Sequence, residues 1–309
     1  MNLDTLVPIL VTVISAATPL LYAAIGELVV ERAGVLNLGV EGMMLAGAVC
    51  GFAVTATTGS ATLGIVAAAI AGGLMGLLFG VLTVSLLANQ VATGLALTIF
   101  GIGFSALLGS RFVGTPLPRL PRLDMPGLTT LPVAGPLLFG HDALIYLSIA
   151  ATIGVAWFLR RTRAGLVLRA VGEAHDAAHS IGYDVVRVRY LAILFGGVMA
   201  GLGGAFLSLS YTPMWIEGMT AGRGWIALAL VVFGAWRPWR VLAGAYLFGG
   251  VTILQLAAQA AGLVEVPPQI FSMLPYAATI LVLTLISAGP WKGWLKAPAC
   301  LGKPFHPAA

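Results

Sequence analysis

His175 and His179 stand four residues apart, a spacing that puts two imidazoles on one helix face and could grip a metal ion. The residues between them lack the glutamate of a zinc protease motif, and both histidines fall in an arginine-rich stretch. They read as a solvated or partner-facing pair. Gln255 and Gln259, one turn apart in an apolar run, could bind an uncharged polar solute or a neighbouring helix. Glu27 and Glu41 lie near the ends of apolar runs, with Asn37, Asn89 and Gln90 at similar boundaries. No cluster of nucleophiles or metal ligands suggests an enzyme, and no cofactor fingerprint is present. Gly302-Lys303 is followed by Pro304, so the phosphate-cradling loop Gly-x-x-x-x-Gly-Lys-Ser/Thr is missing. If this chain works against a gradient by ATP, the energy comes from a partner.

The elements that must position these residues are apolar. Of 309 residues, 59% are hydrophobic and 9% charged, too few charges to cover a soluble surface. Glycine (40) and proline (17) are abundant, which in an apolar chain suits membrane helices. Eight runs are long enough to cross a bilayer: 6–28, 38–54, 61–87, 91–109, 143–159, 190–210, 241–263 and 270–288. A shorter run, 224–235, reads as a short span or as a half-helix that enters without crossing. The expected fold is an all-α transmembrane bundle of eight to ten spans, nine as the working number, forming one domain over 1–309. The N-terminus lacks a basic residue before Arg32, so the first run is expected to stay as a span. Cys50 and Cys300 suggest neither a disulfide framework nor a metal site. Gly72, Gly76 and Gly80, with Gly197 and Gly201, form ridges suited to close helix packing.

The basic residues give orientation. The break at 160–189 carries Arg160, Arg161, Arg163, Arg169, Arg187 and Arg189 against Glu173, Asp176 and Asp184, which makes it cytoplasmic. Nine spans counted from it place 12 of the 16 basic residues inside, with the C-terminus, and leave Arg111, Arg119, Arg122 and Arg223 outside. The basic pI therefore reports membrane orientation and not nucleic-acid binding. The proline-rich stretch 111–142 becomes an external loop, either a connector or a docking surface. Apart from Glu27 and Glu41, near the ends of their runs, the long runs carry almost no ionisable group, which disfavours an ion-coupled carrier. Within the inner loop, 173–180 has helix-forming content, with Gly172 before it and Gly182 after it. The small Ala174, Ala177 and Ala178 leave one flank free to lie against another protein. Trp225 and Trp236 read as interface anchors.

Four stretches together resemble one family. Gly172-Glu173, Ala177-Ala178 and Ser180-Ile181-Gly182 look like the coupling-helix signature of permeases in the branched-chain amino acid, ribose and nucleoside group of ATP-binding-cassette (ABC) importers. Residues 31–44 resemble the entry to the second helix, and their start, Glu31-Arg32-Ala33-Gly34, is typical of the nucleoside and simple-sugar branch. Residues 89–97 resemble the start of the fourth span, and 221–229 with 233–238 the segment before the last helices. Thr98 stands where many relatives carry Asn.

The resemblance implies a type II-like importer permease in the cell inner membrane, moving nucleosides or, alternatively, simple sugars or other heterocycles. It implies a second permease subunit, a cytoplasmic ATPase with two nucleotide sites, and a periplasmic or lipid-anchored substrate-binding protein, with lipid around the spans. Gly172, Glu173, Ala177, Ala178, Ser180, Ile181 and Gly182 would couple to the ATPase. Asn37, Glu41, Asn89, Gln90, Gln255 and Gln259 are the candidates to line or gate the path. Asn37 and Glu41 have another role open to them, capping the second helix, and the two glutamines could instead join helices.

Overall fold

The computed structural model describes residues 3–123, 126–129, 131, 133–260, 273, 277, 280, 284 and 297–306. Ten α-helices occur among them: α1 (Leu3–Arg32), α2 (Val40–Thr58), α3 (Ala61–Gly80), α4 (Gln90–Gly109), α5 (Ala143–Arg161), α6 (Arg163–Glu173), α7 (His175–Ser180), α8 (Val185–Phe206), α9 (Arg223–Phe233) and α10 (Pro238–Ala260). No strand is found among the described residues, only isolated bridges. Among the described residues seven helices are long and apolar enough to cross a membrane, and α9 is a shorter apolar one. The eighth expected run, 270–288, lies outside the described residues apart from four single positions.

Local chemistry sets where the helices begin. Ser60, Asn89, Asp142, Thr162 and Asp184 each accept a backbone N–H of the first turn that follows, opening α3, α4, α5, α6 and α8. α2 ends at Gly59 in the left-handed conformation. One π-helical turn extends α3 over Val81–Ser85 and another extends α8 over Leu207–Tyr211.

The core is built around α1, α2 and α8, with α3, α4, α5, α9 and α10 packed against them. Tyr22 is fully buried in α1, and its hydroxyl donates to the Leu144 carbonyl at 2.6 Å, tying α1 to α5. The predicted glycine ridge is a real contact: Gly72 of α3 packs on Gly197 and Gly201 of α8, where a Cβ on Gly72 would lie 2.7 Å from the Gly201 Cα.

The inner loop is more ordered than its composition suggests. α5 runs through Arg161, α8 starts at Val185, and α6 and α7 fill the space between. The expected helix over 173–180 is therefore corrected. Gly172 does not precede it but lies inside α6, against the Arg32 carbonyl at the end of α1. The break falls at Ala174 (φ −152°, ψ 80°), and α7 spans only His175–Ser180.

Candidate functional site

Residues 33–39 do not simply link α1 to α2. They fold back along α1, and a set of polar side chains holds them. The Glu27 carboxylate accepts the Asn37 N–H at 3.1 Å, Gln90 accepts the Leu36 N–H at 2.8 Å, and the Asn37 amide oxygen accepts the Gly39 N–H at 2.9 Å. Thr98 donates to the Leu38 carbonyl at 3.0 Å. α2 therefore starts at the depth of Thr98, eight residues into α4. At about 1.5 Å per residue that is roughly 12 Å from the start of α4.

At that depth α9 begins. The buried Glu41 carboxylate accepts the Thr220 hydroxyl (2.5 Å), the Gly222 N–H (2.8 Å) and the Gly224 N–H (2.6 Å). Gly224 is required here, since a Cβ would lie 2.5 Å from the Glu41 Cα. At its other end the chain turns through Ala235 and Trp236. There the Arg32 guanidinium donates to the Trp236 carbonyl at 2.9 and 3.1 Å, and the Trp236 indole donates to Glu31 at 2.5 Å. An anion thus meets the helix N-terminus and a cation the chain just past its C-terminus, both matched to the helix dipole. Eleven residues rise about 16 Å, half of a hydrocarbon core of about 30 Å. The ambiguous run 224–235 is a half-helix. Among the described residues, three of the four non-glycine residues with left-handed backbone, Ala221, Ala235 and Trp236, flank it.

Two corrections follow. The nine-span count put Arg223 outside, but it opens α9 at the depth of Glu41, because a half-helix brings its first residue inward. Trp236 is buried against Glu31 and is no interface anchor, while Trp225 remains partly exposed.

Two cavities share Tyr211, and one of them borders this half-helix. One, of about 180 Å³, is lined by Leu20 of α1, Tyr211, Arg223 and Ile226 of α9, and Thr252 and Gln255 of α10. The other, of about 230 Å³, opens towards the face opposite the arginine-rich loop and is lined by Ser15, Arg119, Arg122, His141, Asp142 and Tyr211. Tyr211 belongs to both, and the Arg223 guanidinium sits 5.8 Å from its ring centre. Asp142 is committed to capping α5 and to accepting the Ser210 hydroxyl. Each space is smaller than the roughly 300 Å³ of a typical small-molecule site, and Tyr211, with Arg223 beside it, stands between them.

Among the six path candidates, Gln255 lines the inner cavity and Gln259 lies one turn further along α10. Asn89 is an exposed cap of α4, accepting the Ala92 N–H. Asn37, Glu41 and Gln90 are buried and hold backbone. Glu41 does not cap its own helix. It caps α9, about 180 residues away in sequence. Tyr211, Arg223 and Thr252 were not anticipated. The signal for Arg223 was available, since an arginine opening a run too short to cross must sit inside the protein.

On the arginine-rich face, Glu173, Ala177, Ser180, Ile181 and Gly182 are exposed, Ala178 is buried, and Gly182 takes φ +93°. Of the histidine pair read as solvated or partner-facing, His175 is buried while His179 is exposed. Phe305 stacks edge-on against both His175 and His179 at 5.3 Å, and the His175 Nδ1 meets the Arg189 guanidinium at 3.0 Å. Segment 297–306 straps this face: the Cys300 N–H donates to Gly172, the Gly302 N–H to Gly34, and Arg189 donates to the Lys303 carbonyl. No metal-holding cluster occurs among the described residues.

Comparison with known proteins agrees with this architecture. Residues 9–283 match the family described as "Branched-chain amino acid transport system / permease component". The chain is 44% identical over 292 residues to the "Putative glucose ABC transporter permease protein TsgC13" of Haloferax volcanii, covering 88% of this chain and 89% of that one. It is 33% identical over 295 residues to the nucleoside ABC transporter permease protein NupC of Lactococcus lactis, covering 91% and 93%. It is 30% identical over 302 residues to the guanosine ABC transporter permease protein NupQ of Bacillus subtilis, covering 94% and 93%. No solved structure matches it. Seven apolar helices, a buried half-helix and a family match over most of its length lead to one conclusion: the chain belongs to the branched-chain amino acid transport system permease family, and is a multi-pass membrane permease of an ABC transporter.

Proposed function

We propose that this permease passes nucleosides inward across the cell inner membrane, through the cavity beside α9 and the one that adjoins it at Tyr211. The observation that carries the reading is Tyr211, which lines both cavities with Arg223 against its ring; we take it as the constriction of the path. An aromatic ring and a guanidinium meet there, with Thr252 and Gln255 below, a lining suited to stacking a planar base and hydrogen-bonding a ribose. Two relatives named for nucleoside or guanosine transport support it. Simple sugars are the second reading, favoured by the 44% identity to the glucose-named relative.

An ABC permease implies an ATPase partner and a substrate-binding partner. The arginine-rich face is taken as cytoplasmic, with the C-terminal strap on it. There α7 and the exposed Ile181-Gly182-Tyr183 turn form the coupling surface for an ATPase with two nucleotide sites. Within the loop 111–142, residues 111–123 are mostly exposed and bridge to Met214, Trp215 and Asp142, and they offer the docking surface for a binding protein outside. A second permease chain completes the pore. ATP closure would push α7, and α6 would transmit that motion to the end of α1, where Gly172 meets Arg32. Arg32 also holds the turn after α9, so the half-helix would tilt and open the constriction. The strained joints on both sides of α9 fit a moving part.

The test is uptake by proteoliposomes holding the chain with its partners and ATP, with labelled guanosine and labelled glucose in competition. Tyr211→Ala should cut guanosine uptake at least about tenfold, the loss of one stacked ring. Wild-type uptake of glucose with no displacement by guanosine would replace the nucleoside reading with the sugar reading. Uptake driven by an ion gradient without ATP would remove both.

A further inference from the structure

A second cavity type, unrelated to the path, opens between α1, α5, α6 and α8 near the arginine-rich face. Its volume is about 350 Å³, and its walls include Val29, Gly154, Phe158, Leu168, Leu191 and Phe195. Every lining residue is apolar or glycine, so water finds no hydrogen-bond partner among the side chains there. Three of its walls belong to membrane-crossing helices, whose surrounding solvent is hydrocarbon.

What sits at its edge selects the occupant. Arg187, Leu191 and Phe195 follow one another at four-residue steps on α8, so they share a face with the arginine at the loop end. Phe158 and Arg161 stand three residues apart at the same end of α5. Both arginines are exposed, and neither makes an ion pair among the described residues. Asp184, the nearest acid in sequence to Arg187, uses its carboxylate to cap α8. An apolar slot with a guanidinium on each wall at its interfacial end matches an acyl chain carrying an anionic headgroup. We propose that this groove is a specific site for an anionic phospholipid, with one acyl chain against Gly154 and Phe195 and the phosphate between Arg161 and Arg187. A lipid there would wedge α5 and α6 against α1 and α8, next to the contact between Gly172 and Arg32.

The experiment is native mass spectrometry of the full chain released from nanodiscs of equimolar phosphatidylglycerol and phosphatidylcholine. The wild type should retain phosphatidylglycerol preferentially. Arg161→Gln and Arg187→Gln should each lower that retention about fivefold, and the double variant about 25-fold, at unchanged phosphatidylcholine retention. The double Arg→Lys variant should keep the preference, which separates charge from loss of fold. Gly154→Phe should lower retention of both lipids alike, because a side chain added at Gly154 meets no protein atom within 4 Å and enters the groove. Equal retention of the two lipids by the wild type would overturn the proposal, as would a double Gln variant that binds phosphatidylglycerol normally. A chain that emerges lipid-free with a second polypeptide crosslinked through Phe195 would assign the groove to a protein partner and overturn it too.

Discussion

α7 and α9 are both short, and they are held in different ways. α7 lies on the surface with Ala177 and Ser180 exposed, and its contacts come from α6, α8 and a strap at the end of the chain. α9 is sunk in the bundle, and each end is gripped by a charged side chain far away in sequence, Glu41 at the start and Arg32 past the finish. A surface helix can shift at little cost, because water satisfies what it releases. A half-helix at membrane depth cannot, because each backbone N–H freed there stays unpaired. The contrast fits a lever that is pushed and a gate that must move as a capped unit.

The strongest way to break that contrast is Glu41→Ala. It strands the Gly222 and Gly224 N–H groups and the Thr220 hydroxyl in the interior, at a cost of about 3–5 kcal/mol. Fluorescence-detected size exclusion after heating should show aggregation well below the wild-type temperature, with Glu41→Gln intermediate. A Glu41→Ala protein as stable as wild type would mean that α9 is not held from its start.

Next is Arg32→Ala, which removes the two donors on the Trp236 carbonyl. Part of that carbonyl's loss is made up by water at the boundary, so the expected cost is about 1.5–3 kcal/mol. Arg32→Lys should recover only part, because an ammonium lacks the fork. Full recovery by Lys would reduce the contact to simple charge.

Gly182→Val tests the surface side. A β-branched residue at φ +93° costs about 1–3 kcal/mol locally, yet no atom lies within 4 Å of the added Cβ. Stability of the isolated chain should fall modestly, while co-purification with the ATPase and ATP-driven uptake should fall much further. Unchanged assembly and uptake would remove α7 and its turn from the coupling role.

The smallest effect is a pH response of the strap. Burial, then the Arg189 charge, hold the His175 imidazole below its ordinary range, with Asp176 opposing and Lys303 adding to the depression. A histidine kept neutral in the fold contributes its full stability above about pH 6.5, and that contribution is lost as the pH falls from there towards the lower folded value. The protection of the Cys300 and Gly302 amides relative to intrinsic exchange at each pH should therefore fall between about pH 7 and about pH 5, and His175→Phe should flatten the response. Protection that rises on acidification would reverse the assignment.

Much of this architecture was legible in the amino-acid order, for a physical reason. A helix that must cross lipid closes its own backbone hydrogen bonds, so its length and apolarity are properties of a continuous stretch, and all seven long helices fall on runs read from the sequence. The glycine ridge of α3 and α8 and the helical content of the inner loop are local in the same sense. What only the tertiary structure decided is where polar groups meet. Glu41 looks like a residue of α2, yet its carboxylate serves α9. Arg223 looks external by counting, yet it faces Tyr211 inside. His175 looks solvated, yet a phenylalanine 130 residues later covers it. A buried hydrogen bond needs a partner from a different helix, and which helix comes close is set by packing of the whole bundle, which no local pattern records.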